Sequence, residues 1–182
     1  MKPQPSPADT LRRVIKVARL DGLSIFVVSG GFALITMVFG DVVGTSVGLL
    51  VAAAGWSEWH GAKLLQRGRA RGINWLVRSQ CCLLGIILLY VMRQLISYDT
   101  DLETVRSHIQ EVSQLTGMNI QALLESTGLT IEDTQRLVQR TFYAIYGTVG
   151  LVTFFYQGGL ALYYRRRIAA VHAALDVTNL VK

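Results

Sequence analysis

Glu58, His60, Arg78 and Gln157 are the side chains whose types and positions could do chemistry, because each falls within or beside a long apolar stretch. An ionisable group carried into hydrocarbon is costly, so it is a candidate for function by default. Glu58 and Arg78 lie at similar distances from the ends of neighbouring apolar stretches. They are expected to pair, with His60 and Gln157 completing a polar cluster. Such a cluster has two readings: an interfacial salt bridge that locks two helices, or the polar lining of a proton or ion pathway. The second would normally need further groups distributed through the membrane.

Other chemistry is hard to build. His60, His108 and His172 show no His-Glu-x-x-His motif and no paired spacing, so no metal site is expected. Cys81 and Cys82 are adjacent in an apolar run without a second pair, which suits packed thiols better than ligands or a disulfide. There is no Gly-x-Ser-x-Gly elbow or phosphate-binding loop. The sequence therefore gives no catalytic residue and no cofactor, and an enzyme is not expected.

The elements that position these side chains follow from the distribution of charge. Of the 182 residues 51% are apolar and 16% charged, and residues 22–40, 42–57, 79–92 and 141–164 contain no Asp, Glu, Lys or Arg. A helix rises about 1.5 Å per residue, so about 20 apolar residues cross a hydrocarbon core of about 30 Å. The expected fold is all-α: a polytopic integral membrane protein with four transmembrane helices, at about 22–40, 42–60, 73–98 and 140–164, and a small exoplasmic helical cap. Arg78 and Arg93 lie near the ends of the third span, where long side chains can reach the interface. The three prolines of Met1–Pro7 and the absence of a small-residue cleavage site leave the first span in the mature protein.

Orientation follows from Lys and Arg. Residues 1–21, 59–78 and 165–182 hold 14 of the 18 basic side chains, and the opposite side holds Arg93, Arg106, Arg136 and Arg140. The positive-inside rule then puts both termini and the 61–71 loop in the cytoplasm, in the inner membrane of a bacterium, with 99–139 outside. Trp56, Trp59, Trp75, Tyr163 and Tyr164 are expected at the inner interface, and Tyr98, Phe142 and Tyr143 at the outer one.

Three further features bear on function. Residues 1–21 contain a helix capped by Asp9 with Leu11, Val14, Ile15 and Ala18 on one face and Arg12, Arg13, Lys16 and Arg19 largely on the other. It is expected in the headgroup layer, favouring anionic lipid, and 165–182 forms a basic cytoplasmic tail. Gly40, Gly44, Gly48 and Ala52 recur every four residues, as the seam of a homo-oligomer or as tight packing within the first hairpin. In the cap, 99–139, Leu102, Val105, Ile109 and Val112 form one apolar stripe. Seven acids against two arginines between 99 and 139 make a DNA-reading role untenable. Thr130 is expected to start a long helix reaching to about Ala170. Together these suggest a non-enzymatic scaffold that associates with another membrane protein or with itself, through the cap or the glycine face. The rival is a small transporter or channel subunit using the polar cluster.

Overall fold

The computed structural model describes residues 6–97, 110, 111, 113–117 and 130–180. Every named element among them is an α-helix: α1 Pro7–Val38, α2 Val42–Gln66, α3 Arg71–Ser97 and α4 Ile131–Leu180. The apolar cap residues Leu102, Val105, Ile109 and Val112 lie outside the described residues.

Three of the four helices, α1, α3 and α4, are long and apolar enough to cross a membrane. The fourth expected span, in α2, falls short of that measure. Its glycines, together with Ser57, Glu58 and His60, dilute its hydropathy, and much of the helix is buried against other helices.

The basic amphipathic segment and the first span are a single helix, α1, with no break between them. Ser6 caps it, accepting from the Asp9 amide at 3.1 Å, while its own hydroxyl donates to the Asp9 carboxylate at 2.7 Å. The expected cap, Asp9, is thus the third residue of the helix and closes a capping box from the inside. The apolar face of the segment does not float at an interface. Val14 and Ala18 are buried with Ala62, Leu65, Ile73, Leu76, Tyr164, Val171 and Leu175, drawn from all four helices, and Leu11 and Ile15 pack on this core.

Two tight turns set the helix order. Between α1 and α2, Gly40 takes φ +73°, and Asp41 caps α2 by accepting from the Gly44 amide at 2.9 Å. Between α2 and α3, Gly68 takes φ +74°, and the amides of Gly68 and Arg69 close on the carbonyls of Leu65 and Leu64. Glycine suits both turns because it enters the left-handed region without a Cβ clash.

The chain divides into two units, residues 1–90 with 151–182, and residues 91–150. In the second, Gly117 follows a helical stretch with φ +67°, as its type predicts. Thr130 caps α4 by a reciprocal pair, its hydroxyl donating to Asp133 at 2.6 Å and accepting from the Asp133 amide at 3.1 Å. These bonds hold the exposed Asp133 carboxyl below its usual range.

Within the first unit, α1 and α2 approach through bare backbone. A Cβ at Gly22 would lie 2.8 Å from the Gly55 carbonyl oxygen and the Trp59 nitrogen, and one at Gly55 would lie 2.8 Å from the Phe26 nitrogen. Gly48 faces Ala33 in the same way, with Ala33 Cβ at 2.9 Å. By contrast, nothing lies within 4 Å of a Cβ at Gly158. Gly55→Leu or Gly48→Leu should therefore destabilise the protein by about 1–3 kcal/mol, the usual cost of overpacking, while Gly158→Leu changes little. Thermal unfolding in detergent checks this, and equal midpoints for Gly48→Leu, Gly55→Leu and Gly158→Leu would refute it.

Candidate functional site

A polar cluster sits inside the first unit, and each of the four helices contributes to it. Glu58 on α2 is 1% exposed. Its Oε1 accepts from the hydroxyl of Tyr164 on α4 at 2.8 Å, and the side chains of Asp21 on α1 and Gln80 on α3 also reach its carboxyl. Asp21 in turn accepts from Gln80 Nε2 at 3.2 Å and from the Tyr156 hydroxyl at 2.9 Å. Among the described residues, neither carboxyl has a Lys or Arg in ion-pair contact.

Helix periodicity explains why these side chains meet. Glu58 continues the buried row Gly48, Ala52, Gly55 toward Ala62 and Leu65 on α2. Gln80 lies on the buried row Ile73, Leu76, Leu83 of α3, and Gln157 and Tyr164, seven residues apart, share a face of α4 with Val171. Gly22, next to Asp21, lets α1 sit so close that a Cβ there would lie 3.1 Å from Glu58 Cβ.

Acceptors outnumber donors at this level. Gln80 is fully buried and Gln157 is 6% exposed, and the Oε1 of each is buried without a hydrogen-bond partner among the described residues. Buried polar atoms are seldom left so, and such cases mark a functional role or an unseen donor.

The structure brings together only part of the expected site. Glu58 and Gln157 are buried as a polar cluster requires, but the Glu58–Arg78 pair does not form. Arg78 points away from the bundle and is exposed, while Glu58 turns inward to Tyr164. The expected pairing fails on helix face: Glu58 is buried and Arg78 is exposed. His60 packs between rings instead, 5.5 Å from Trp56 and 5.8 Å from Trp75. Tyr164 is not an interfacial aromatic, being fully buried. Cys81 and Cys82 are exposed rather than packed. Of the glycine row, Gly44, Gly48 and Ala52 are buried, with Gly48 against α1, and the exposed Gly40 makes the turn. The first hairpin therefore occupies at least the Gly48 part of this face.

Asp21, Gln80, Tyr156 and Tyr164 were missed. The available signal was the phase of each polar residue relative to its helix's apolar row, which puts Gln80 inward and Arg78 outward although only two residues separate them.

These features define an all-helical protein with, among the described residues, three helices long and apolar enough to cross a membrane and a buried glutamate to which four helices bring polar groups. Compared with protein families, with characterised proteins and with solved structures, the chain has no match.

A double-mutant cycle on Glu58→Gln and Tyr164→Phe should give a coupling of about 1 kcal/mol or more. The cycle on Glu58→Gln and Arg78→Gln should be additive within about 0.5 kcal/mol. Detergent unfolding measures both, and the reverse ranking would restore the Glu58–Arg78 pair.

Proposed function

We propose that the chain is an integral membrane protein of four spans, with α2 completing the set, and that it is a small proton-coupled transporter or a subunit of one. The observation that carries this reading is the buried Glu58 carboxyl with the half-buried Asp21 beside it, where four helices converge, neither having a Lys or Arg in ion-pair contact among the described residues. A carboxyl buried beside a second one is costly to ionise, so in this reading Glu58 is the group that holds the proton. The Tyr156 and Tyr164 hydroxyls and the Gln80 amide orient the pair. Loss or gain of that proton changes the charge at a place to which all four helices bring polar groups, which couples occupancy to helix packing.

The charge-free stretches 22–40, 42–57, 79–92 and 141–164 leave no second carboxylate deeper in these spans. That favours a carrier, in which the bound proton biases a conformation, over a continuous proton wire. The scaffold reading leans on residues 99–139 and on a glycine face that α1 partly fills; the buried Glu58 favours transport.

Two measurements test this. In the purified protein, infrared spectroscopy should show the carbonyl band of a protonated carboxylic acid that disappears as pH rises and is absent from Glu58→Gln. In liposomes carrying a pH-sensitive dye, the wild type should dissipate an imposed proton gradient in the presence of its substrate, and Glu58→Gln and Asp21→Asn should not. An ionised pair at neutral pH would rule out the proton site.

The accompanying orientation places both termini and the α2–α3 turn in the cytoplasm, and residues 99–139 outside, from the division of basic residues. In a background lacking Cys81 and Cys82, single cysteines at Arg69 and Gln114, both exposed, should label from opposite sides. Labelling of both from one side would overturn the topology.

A further inference from the structure

The first half of α1 carries cations that no described residue neutralises. Arg12, Lys16 and Arg19 follow one another at spacings of four and three, which puts them in one stripe, and all three are exposed without an ion-pair partner among the described residues. The same stripe continues with Leu20 and Leu23, 63% and 44% exposed, toward the charge-free part of the helix. With Ile15 and with Gln66 of α2, these five line a groove of about 710 Å³. Lys16 also borders a second groove of about 300 Å³, walled on the α4 side by Leu160 and Tyr163.

Charge and apolar surface are thus separated along the helix axis, not only around it. A solvated basic face would have no reason to open onto an apolar trough, and a soluble phosphate would leave Leu20 and Leu23 bare. The positive-inside rule counts basic residues near a span and does not ask that three share a stripe beside a groove. A phospholipid has the same order of parts: an anionic phosphate, then hydrocarbon.

We propose that this groove is a binding site for one anionic phospholipid, its phosphate held by Arg12, Lys16 and Arg19 and its acyl chain laid along Leu20 and Leu23. Basic side chains near a membrane surface attract anionic headgroups additively, and a cluster confers preference over zwitterionic lipid. The proposal rests on the membrane-spanning reading of α1 and is independent of the carboxyl pair. Its substitutions lie on exposed positions, so the fold should tolerate them.

The test is lipid titration of the detergent-solubilised full chain, followed by native mass spectrometry, with phosphatidylglycerol and phosphatidylcholine of identical acyl chains. Phosphatidylglycerol should bind about tenfold or more tightly than phosphatidylcholine. The triple variant Arg12→Gln, Lys16→Gln, Arg19→Gln should reduce that preference to about twofold or less. A control removing the same charge elsewhere in this unit, Arg69→Gln, Arg165→Gln, Arg166→Gln, should retain it. Leu20→Ser with Leu23→Ser should weaken both lipids alike. Equal loss in the two triples would show diffuse surface charge and overturn the site, as would equal affinity for the two lipids in the wild type. Competition by inorganic phosphate would reassign the stripe to a soluble anion. Unchanged infrared behaviour of the carboxylic acid in the first triple keeps a failure here distinct from a failure of the proton site.

Discussion

Glu58 has to be buried without a counter-ion, and much of the first unit is arranged around that requirement. Taking a carboxylate out of water costs several kcal/mol even after relaxation. Here a tyrosine hydroxyl from α4 and an amide from α3 offset part of that cost, while the neighbouring Asp21 carboxyl of α1 adds to it. Arg78 could have neutralised the charge, but its phase on α3 carries it away from the bundle. What remains is a buried carboxyl held by a neutral hydroxyl rather than by a cation.

Packing makes that choice possible. Asp21 reaches Glu58 because Gly22 and Gly55 allow α1 and α2 to close until backbone meets backbone. In lipid there is little hydrophobic drive between helices, so contact must come from such close approach and from interhelical hydrogen bonds. Gly61 and Gly72 repeat the device between α2 and α3, where a Cβ at Gly72 would lie 2.5 Å from the Gly61 carbonyl oxygen. On the other side of the cluster, the core around Leu65, Ile73, Leu76 and Tyr164 is conventionally apolar. The polar level is therefore bounded on one side by a packed core and on the other by small-residue seams.

Much of the architecture was legible in the sequence because it depends on runs and on local capping. Charge-free stretches located the helices, and Gly40, Gly68, Gly117 and Thr130 sit where their conformational preferences put them. Continuity was not legible. The basic segment and the first span looked like two objects because their compositions differ, yet a helix continues through a change of environment if nothing breaks its hydrogen bonds. The site was half legible. Depth along a helix can be counted from its ends, which picked out Glu58 and Gln157, but partnership depends on rotation about the axis, at about 100° per residue. Arg78 and Gln80 differ in depth by about 3 Å and in direction by about 200°. The apolar row Ile73, Leu76, Leu83 tells which of them turns inward, but only the tertiary arrangement decides that the inward one meets Asp21.

The same geometry explains how α1 can be strongly basic and still leave Asp21 without a cation. Arg19 precedes Asp21 by two residues, so the two side chains leave the helix about 200° apart. Arg19 and Lys16 face the groove, where a long side chain stays hydrated, while Asp21 faces Tyr156, Gln80 and Glu58. Folding Arg19 back onto Asp21 would bury a guanidinium, and its desolvation would cancel most of the attraction. One helix therefore carries two electrostatic faces that do not neutralise each other. The outer face turns Arg12, Lys16 and Arg19 toward the groove, whereas the inner face turns Asp21 toward Gln80 and Tyr156.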